Sequence, residues 1–586
     1  QRIVLALIHL SFLFALIFCE PTPVSTKLKR PHVLFILVDD LGWGDVGFHQ
    51  PWSKEILTPT IDRLAQQEGM ILNRHYVHSS CTGTRVSLQS GRLPVHVQTT
   101  LKLPEDPSSG MPRNMTGFAE HLRRAGYRTH YVGKWDVGMA TPKHTPYGRG
   151  YETSLHYFEH KNDYWTQACM QSACCPNYGW NAKDSHETPD FWEAPRPQRH
   201  YNLSLVDLWD TLQPAKHLNG TDYEEFLFLQ RMKNIIRDHD GNDPLFLFYA
   251  PHVAHCPLQV PQEYLDKFDF GNDEIACQAQ TPRILSPKSE SDAPFSCRKQ
   301  YHAMVNLLDD ILMSLVEELQ EVGLWNDTLL VFTSDNGGPT LLEESASTNY
   351  DLRGGKYSDW EGGVRAVAFV SGGYLPKSQW GVTLEEPVHI TDWYATLVRL
   401  AGISQMDDDS QGGVYPPIDA MDLWPLLIGL ETTSPRQEIP LSKRALIQGD
   451  YKLIWNKKQP TGQAGWTGPI YPNATSSNSD IFVDVDCKDG CLFDVAKDRG
   501  EHVDLAQTMP DKVTAMKERL IELEQYFFEN ADRGDDSCPI DLDMPCACWM
   551  AINYYGGFLG PYQEVDVSTL DRTTTSRLKG PTSPRK

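Results

Sequence analysis

The chain has 586 residues, 40% hydrophobic and 22% charged. That composition excludes a disordered or fibrous chain and leaves ample material for a packed core. Its 77 Asp+Glu against 53 Lys+Arg give a formal charge of -24, which excludes nucleic-acid binding by bulk electrostatics, so an anionic ligand has to be caught by a local cluster of cations.

Gln1 and Arg2 precede a mostly apolar run from Ile3 to Phe18, with Pro21 and Pro23 close behind. A charged start and a run shorter than the ~20 residues of a spanning helix read as a secretory signal peptide over 1–19. No later window is long and apolar enough to cross a bilayer, so no integral membrane segment is expected once the signal is removed. Asn-x-Ser/Thr sequons at Asn114, Asn202, Asn219, Asn326 and Asn473 agree with the secretory route as glycosylation sites. So do the 13 cysteines. Cys169, Cys174, Cys175, Cys277, Cys297, Cys487, Cys491, Cys538, Cys546 and Cys548 sit in polar, loop-like stretches and read as disulfide cysteines. Cys256 reads as the one left over.

Residues 32–39 (HVLFILVD) form a continuous apolar, β-branched run, the mark of a strand buried on both faces. Asp39 and Asp40 stand at its carboxyl end. Thr58-Pro59-Thr60 opens a helix with Ile61, Leu64 and Ala65 on one face. Residues 116–125 read as a helix, and Tyr127–Val132 as a strand ending in Gly133-Lys134. Residues 244–250 read as a second buried strand, followed by Pro251-His252-Val253-Ala254-His255. A helix over 301–323 leads to a strand at Leu329–Thr333 that runs into Ser334-Asp335-Asn336, and Ala366–Val370 is a further strand.

This alternation over residues 30–430 predicts a large α/β domain with a mostly parallel sheet, in which ligands bind at the carboxyl ends of strands. Asp39, Asp40, Lys134, His255, Asp335 and Asn336 all lie at or just beyond such ends. The polar, Pro-containing stretch 430–445 reads as a linker. Strands in 445–455 and 491–495 and a helix over 511–530 predict a small α+β domain over 445–550. Residues 565–586 are Ser/Thr/Pro/Lys/Arg-rich and predicted to be disordered.

Paired Asp after one strand and Asp-Asn after another offer the hard oxygen ligands that Ca²⁺ or Mg²⁺ prefers, although Asp and Asn favour turns in any case. The segment Cys81-Thr82-Gly83-Thr84-Arg85, followed by Gly91-Arg92, resembles the sulfatase signature Cys-x-Pro-x-Arg…Gly-Arg. Val38-Asp39-Asp40-Leu41-Gly42, Gly133-Lys134-Trp135, His255-Cys256-Pro257-Leu258-Gln259, Thr333-Ser334-Asp335-Asn336-Gly337-Gly338 and Leu352-Arg353-Gly354-Gly355-Lys356 match the same family in order. Gly323-Leu324-Trp325-Asn326-Asp327-Thr328 looks most like its arylsulfatase B (N-acetylgalactosamine-4-sulfatase) branch.

The resemblance implies an alkaline-phosphatase-like fold and a secreted or lysosomal enzyme that hydrolyses sulfate esters, on sulfated carbohydrate or aryl sulfates. It implies that a formylglycine-generating enzyme oxidises Cys81 to formylglycine, whose hydrate attacks sulfur. It further implies one calcium ion held by Asp39, Asp40, Asp335, Asn336 and the modified Cys81. Arg85 would hold the hydrate, Lys134 and Lys356 would bind sulfate, and His255 would bind sulfate and protonate the leaving oxygen. Two positions depart from the pattern. Asp136 stands where the family has a His beside the formylglycine, and would take over as the base. Gly83 stands where the modifying enzyme usually reads Pro. These departures leave a second reading, a catalytically weakened secreted protein that binds sulfated polysaccharide or acts in extracellular matrix.

Overall fold

The computed structural model describes residues 30–97, 106, 108–169, 205–269, 297–340, 346–403, 415–455, 464–468, 483, 485–528 and 545–566. The signal sequence, the 567–586 tail and the sequons at Asn202 and Asn473 lie outside them. The strands in chain order are β1 (His32–Val38), β2 (Gly69–Leu72), β3 (His75–Tyr76), β4 (Arg128–Lys134), β5 (Thr153–Tyr157), β6 (Trp209–Asp210), β7 (Gln213–Pro214), β8 (Leu245–Ala250), β9 (Thr328–Ser334), β10 (Ala368–Ser371), β11 (Val382–Leu384) and β12 (Val388–His389).

All but β3 and β12, which pair with each other, form one sheet of order β11-β2-β10-β9-β1-β8-β4-β5-β6-β7. Its centre, β9-β1-β8-β4-β5, is parallel throughout; β10 runs antiparallel between β9 and β2.

Strand β1 shows why this sheet is central. Val33, Phe35 and Leu37 pack into the apolar layer with Phe118, Leu122, Trp393 and Leu397. Leu34, Ile36 and Val38 pack into the opposite layer with Ile61, Phe228 and Leu308. Period-2 alternation therefore sends apolar side chains to both faces, each covered by helices. Phe118–Arg124 and Asp392–Leu400 supply one cover, and Pro59–Gln66, Glu224–Asp238 and Cys297–Glu321 the other.

A second sheet of four antiparallel strands follows: β13 (Glu438–Ser442), β14 (Ala445–Gln448), β15 (Tyr451–Ile454) and β16 (Cys491–Asp494). The first of these lies inside the stretch read from sequence as linker. Ile439 and Leu441 flank Pro440 there and are buried, a two-residue period that Pro440 and the surrounding polar residues mask. The helix Pro510–Glu524 covers this sheet through Val513, Met516 and Leu520.

A fully buried charge network ties the four-stranded sheet to β3 and to the short helix Glu361–Val364. Lys452 Nζ on β15 lies 3.0 Å from Glu361 Oε1 and 2.9 Å from Glu501 Oε1. The other Glu361 oxygen accepts from Tyr76 Oη at 3.1 Å and from Arg365 at 3.2 Å. Removing one partner of a buried ion network strands the others without compensation. Lys452→Met is therefore expected to lower unfolding stability by about 3–5 kcal/mol, read by urea denaturation. A loss below about 1 kcal/mol, the value of an exposed pair, would contradict this account.

Candidate functional site

The register of the central strands assembles the site. Val38 of β1 lies opposite Ser334 of β9, so the next residues, Asp39 and Asp335, emerge side by side. The Asp335 N–H donates to Val38 O at 2.9 Å, and the Ala254 N–H, beyond β8, donates to Asp39 O at 2.9 Å. On the far side of β8, β4 ends at Lys134. Gly133 makes that approach feasible: its φ is +110°, and a Cβ there would lie 1.8 Å from Ala250 O.

Cys81 opens the wholly buried helix Cys81–Ser90, with Ser80 extended before it. Cys81 and Cys256 lie outside the disulfides, and the Cys256 Sγ is 3.5 Å from Lys161 Nζ. Cys487 and Cys491 are joined to each other, and Cys169, Cys546 and Cys548 are also disulfide-bonded.

Asp39, Asp40 and Asp335 are at most 3% exposed, and buried cations face each of them. Lys134 Nζ is 2.6 Å from Asp39 Oδ2. Lys356 Nζ is 2.6 Å from Asp40 Oδ1. Arg85 donates Nε and Nη2 to Asp335 Oδ2 at 3.0 and 2.7 Å, and Nη1 to Lys134 O at 3.0 Å. His255 Nε2 lies 3.5 Å from Asp40 Oδ2, with Nδ1 against Cys256 O at 2.8 Å. Asn336 donates to Asp40 Oδ1 at 2.6 Å. These residues thus join one cluster with Arg85, and Cys81 stands close enough to interact electrostatically with Lys134 and Lys356.

The electrostatics follow from burial among like charges. Burial, and then the neighbouring Asp39, push Asp335 up to about 7 against Arg85 and Lys134. Burial also raises Asp40 and holds His255 well below its ordinary range. For Asp39 the neighbouring cations, Lys134 foremost, outweigh burial and hold the carboxyl far below the usual range. Asp39 Oδ1 and Asn336 Oδ1 are buried and accept no hydrogen bond. Orphaned anionic and carbonyl oxygens in such a set fit a hard divalent cation.

Beside this cluster, Asp136 adopts φ +49° and accepts from Thr82 Oγ1 at 3.0 and 3.1 Å. His160 Nδ1 is 3.2 Å from Asp136 Oδ1. Burial works to raise Asp136, but His160, Lys134 and Arg85 reverse it, down to about 2. Burial works to discharge His160, and Asp136 and Cys81 raise it to about 9.

The sequence reading missed His160. It lies three residues beyond β5, whose short run TSLHY mixes polar and apolar residues and was not read as a strand. Also missed were Glu224 and Glu225. Glu225 accepts from the His252 N–H, the Val253 N–H and Tyr249 Oη at 2.7, 3.2 and 2.6 Å, which fixes the turn that carries His255. His144 braces a short turn, its Nδ1 2.9 Å from Thr141 Oγ1. Among the sequons, Asn114 and Asn326 are exposed, while Asn219 is half-buried and donates its amide to Thr166 O.

An α/β sheet with this site at its strand ends is the alkaline-phosphatase-like architecture. The chain is similar in fold to the solved structure of Ps i-CgsB in complex with k-i-k-neocarrahexaose (TM-score 0.63, 23% identity, 86% of this chain and 94% of that one). It is similar also to a phosphonate monoester hydrolase of Agrobacterium radiobacter (TM-score 0.51, 18% identity, 86% and 97%). The Sulfatase family model matches residues 31–403, and the chain belongs to that family, enzymes that hydrolyse sulfuric esters. It is 30% identical over 531 residues to mouse Arylsulfatase J, covering 86% of this chain and 77% of that protein. It is 25% identical over 424 residues to human N-acetylgalactosamine-6-sulfatase, covering 68% and 66%.

Gly83 has a local explanation. A Cβ there would lie 2.3 Å from His78 Nδ1, so the imidazole fills the space that a larger residue would take. Gly83→Ala is expected to destabilise by about 1–3 kcal/mol through overpacking, and a compensating His78→Ala to recover part of that loss. A gain of about 1 kcal/mol in thermal unfolding, as helix propensity alone would give, would contradict the packing argument.

Proposed function

We propose that this sulfatase is a calcium-dependent enzyme of the secretory route that cleaves sulfate esters through a formylglycine made from Cys81, with sulfated amino-sugars as its substrate class. The observation that carries the proposal is the convergence of Cys81, three buried carboxylates and three buried cations at the ends of four adjacent strands. The amino-sugar class rests on the likeness to N-acetylgalactosamine-6-sulfatase. No helix among the described residues is long and apolar enough to cross a membrane, and the exposed Asn114 and Asn326 suit glycosylation on that route.

Asp39, Asp40, Asp335 and Asn336 would hold the calcium, with residue 81 completing the shell. Calcium in that position draws charge from the sulfate and from a bound hydroxyl. The converted Cys81 supplies a hydroxyl nucleophile in place of a thiol.

Lys134 and Lys356 are aimed at the carboxylates from two sides, so an anion entering between them meets two fixed cations. Such preorganised charge costs no rearrangement during the reaction. Arg85 holds Asp335 and the end of β4 in place. His255 Nε2 faces the same space as a contact for a sulfate oxygen. Burial of every one of these groups excludes water and strengthens each interaction.

The test is sulfate release by the protein secreted from animal cells, on an aryl sulfate and on sulfated N-acetylgalactosamine. Wild type is expected to release sulfate from both and Cys81→Ala from neither. Wild type that carries the aldehyde at residue 81 and releases none would overturn the proposal.

A further inference from the structure

The cysteine that the sequence leaves over stands at the edge of the candidate site, paired with an amine. Cys256 follows His255 directly, is half-buried and lies outside the disulfides. Its Sγ accepts from Lys161 Nζ at 3.5 Å, across 95 residues of chain. Lys161 is also half-buried, so neither group is sealed from solvent. Three further contacts stitch the two segments together. Tyr164 Oη donates to His255 O at 3.0 Å, the Tyr164 N–H to Gln259 Oε1 at 3.1 Å, and Gln259 Nε2 to Asp163 Oδ2 at 2.8 Å. The amine therefore meets the sulfur because two fixed segments present it, not because a surface side chain happens to lie there. A cation against a partly exposed thiol favours the reactive thiolate. An amine in contact with that sulfur is also a nucleophile for its oxidised form. Nothing in the function proposed above uses either side chain.

We propose that Cys256 and Lys161 form an oxidative cross-linking site, at which hydrogen peroxide joins Sγ to Nζ as a sulfenamide. In the first step the thiolate bonds to one peroxide oxygen, the O–O bond breaks and hydroxide leaves. The sulfur is oxidised to a sulfenic acid, and the peroxide is reduced to water. In the second step Nζ, having given its ammonium proton to water, bonds to the sulfur through its lone pair. The S–O bond breaks, and hydroxide leaves with one amine proton as water. Sulfenic acids condense with a neighbouring nitrogen in this way. The product has lost two hydrogens overall, one from the thiol and one from the amine. The link ties the segment beyond β5 to the turn that carries His255, whose Nδ1 rests against Cys256 O.

The test uses the full chain, treated with hydrogen peroxide at neutral pH, alkylated and digested without reduction. Mass spectrometry is expected to find the peptides spanning Lys161 and Cys256 joined in one species, about 2 Da lighter than their sum. Fragment ions are expected to place the bond at these two side chains, and dithiothreitol to part them. Lys161→Arg keeps the charge and has no free lone pair to offer. It is expected to yield no such species and to leave at Cys256 a sulfenic acid that dimedone traps.

A disulfide of Cys256 with another cysteine, or a sulfinic acid at Cys256 with Lys161 unlinked, would overturn the inference. So would the same joined species in Lys161→Arg. The decisive species is sought in the wild-type protein, so the folding of a variant does not enter. Neither result depends on conversion of Cys81 or on sulfate release, so this inference and the function proposed above stand or fall separately.

Discussion

Asp39, Asp40 and Asp335 are buried together at the ends of two adjacent parallel strands, and a protein tolerates that much like charge in its interior only against matched cations. The surroundings of the site follow from this constraint. Arg85, Lys134 and Lys356 reach the cluster from a helix, a strand end and a loop, and each is itself buried. Even so, Asp335 is pushed up to about 7 by burial and by Asp39, and oxygens on Asp39 and Asn336 remain without a hydrogen bond. The three cations match the three carboxylates in number but leave those two oxygens without a partner. The divalent ion proposed for the site would occupy those oxygens, which ties the electrostatics of the fold to the chemistry proposed for it.

The sheet makes such a cluster possible. Parallel strands end together, so four chain segments far apart in sequence deliver their next residues to one edge. Apolar layers on both faces hold that edge rigid, and rigidity keeps charged side chains preorganised. The close approach of β4 to β8 at Gly133, and the hold of Glu225 on the turn before His255, are local devices that serve the same end. The second sheet is anchored through Lys452, again by pairing buried charge with buried charge.

The central architecture was legible in the sequence because β1 and β8 are unbroken apolar runs, and residues at the ends of such runs are read directly. Asp39, Asp40, Lys134, His255, Asp335 and Asn336 were found that way, Cys81 and Lys356 only through the family resemblance, and the structure brings them close together. The strand β13 was taken for linker because Pro440 and polar neighbours hide its two-residue period. His160 was missed for a different reason. Its partnership with Asp136 depends on the register between β4 and β5, and register is a property of pairing that spacing along one chain does not encode. Gly83 looked like a defect in the signature, and only the position of His78 against it supplies a packing reason for the small residue.

The most direct test of the central claim is a crystal structure of the secreted protein grown with calcium, with the ion located by its anomalous scattering. The account predicts one ion among the carboxylate oxygens of Asp39, Asp40 and Asp335 and the amide oxygen of Asn336, with Lys134 and Lys356 freed to face an anion. A site without an ion at millimolar calcium, with both lysines still paired to Asp39 and Asp40, would contradict it.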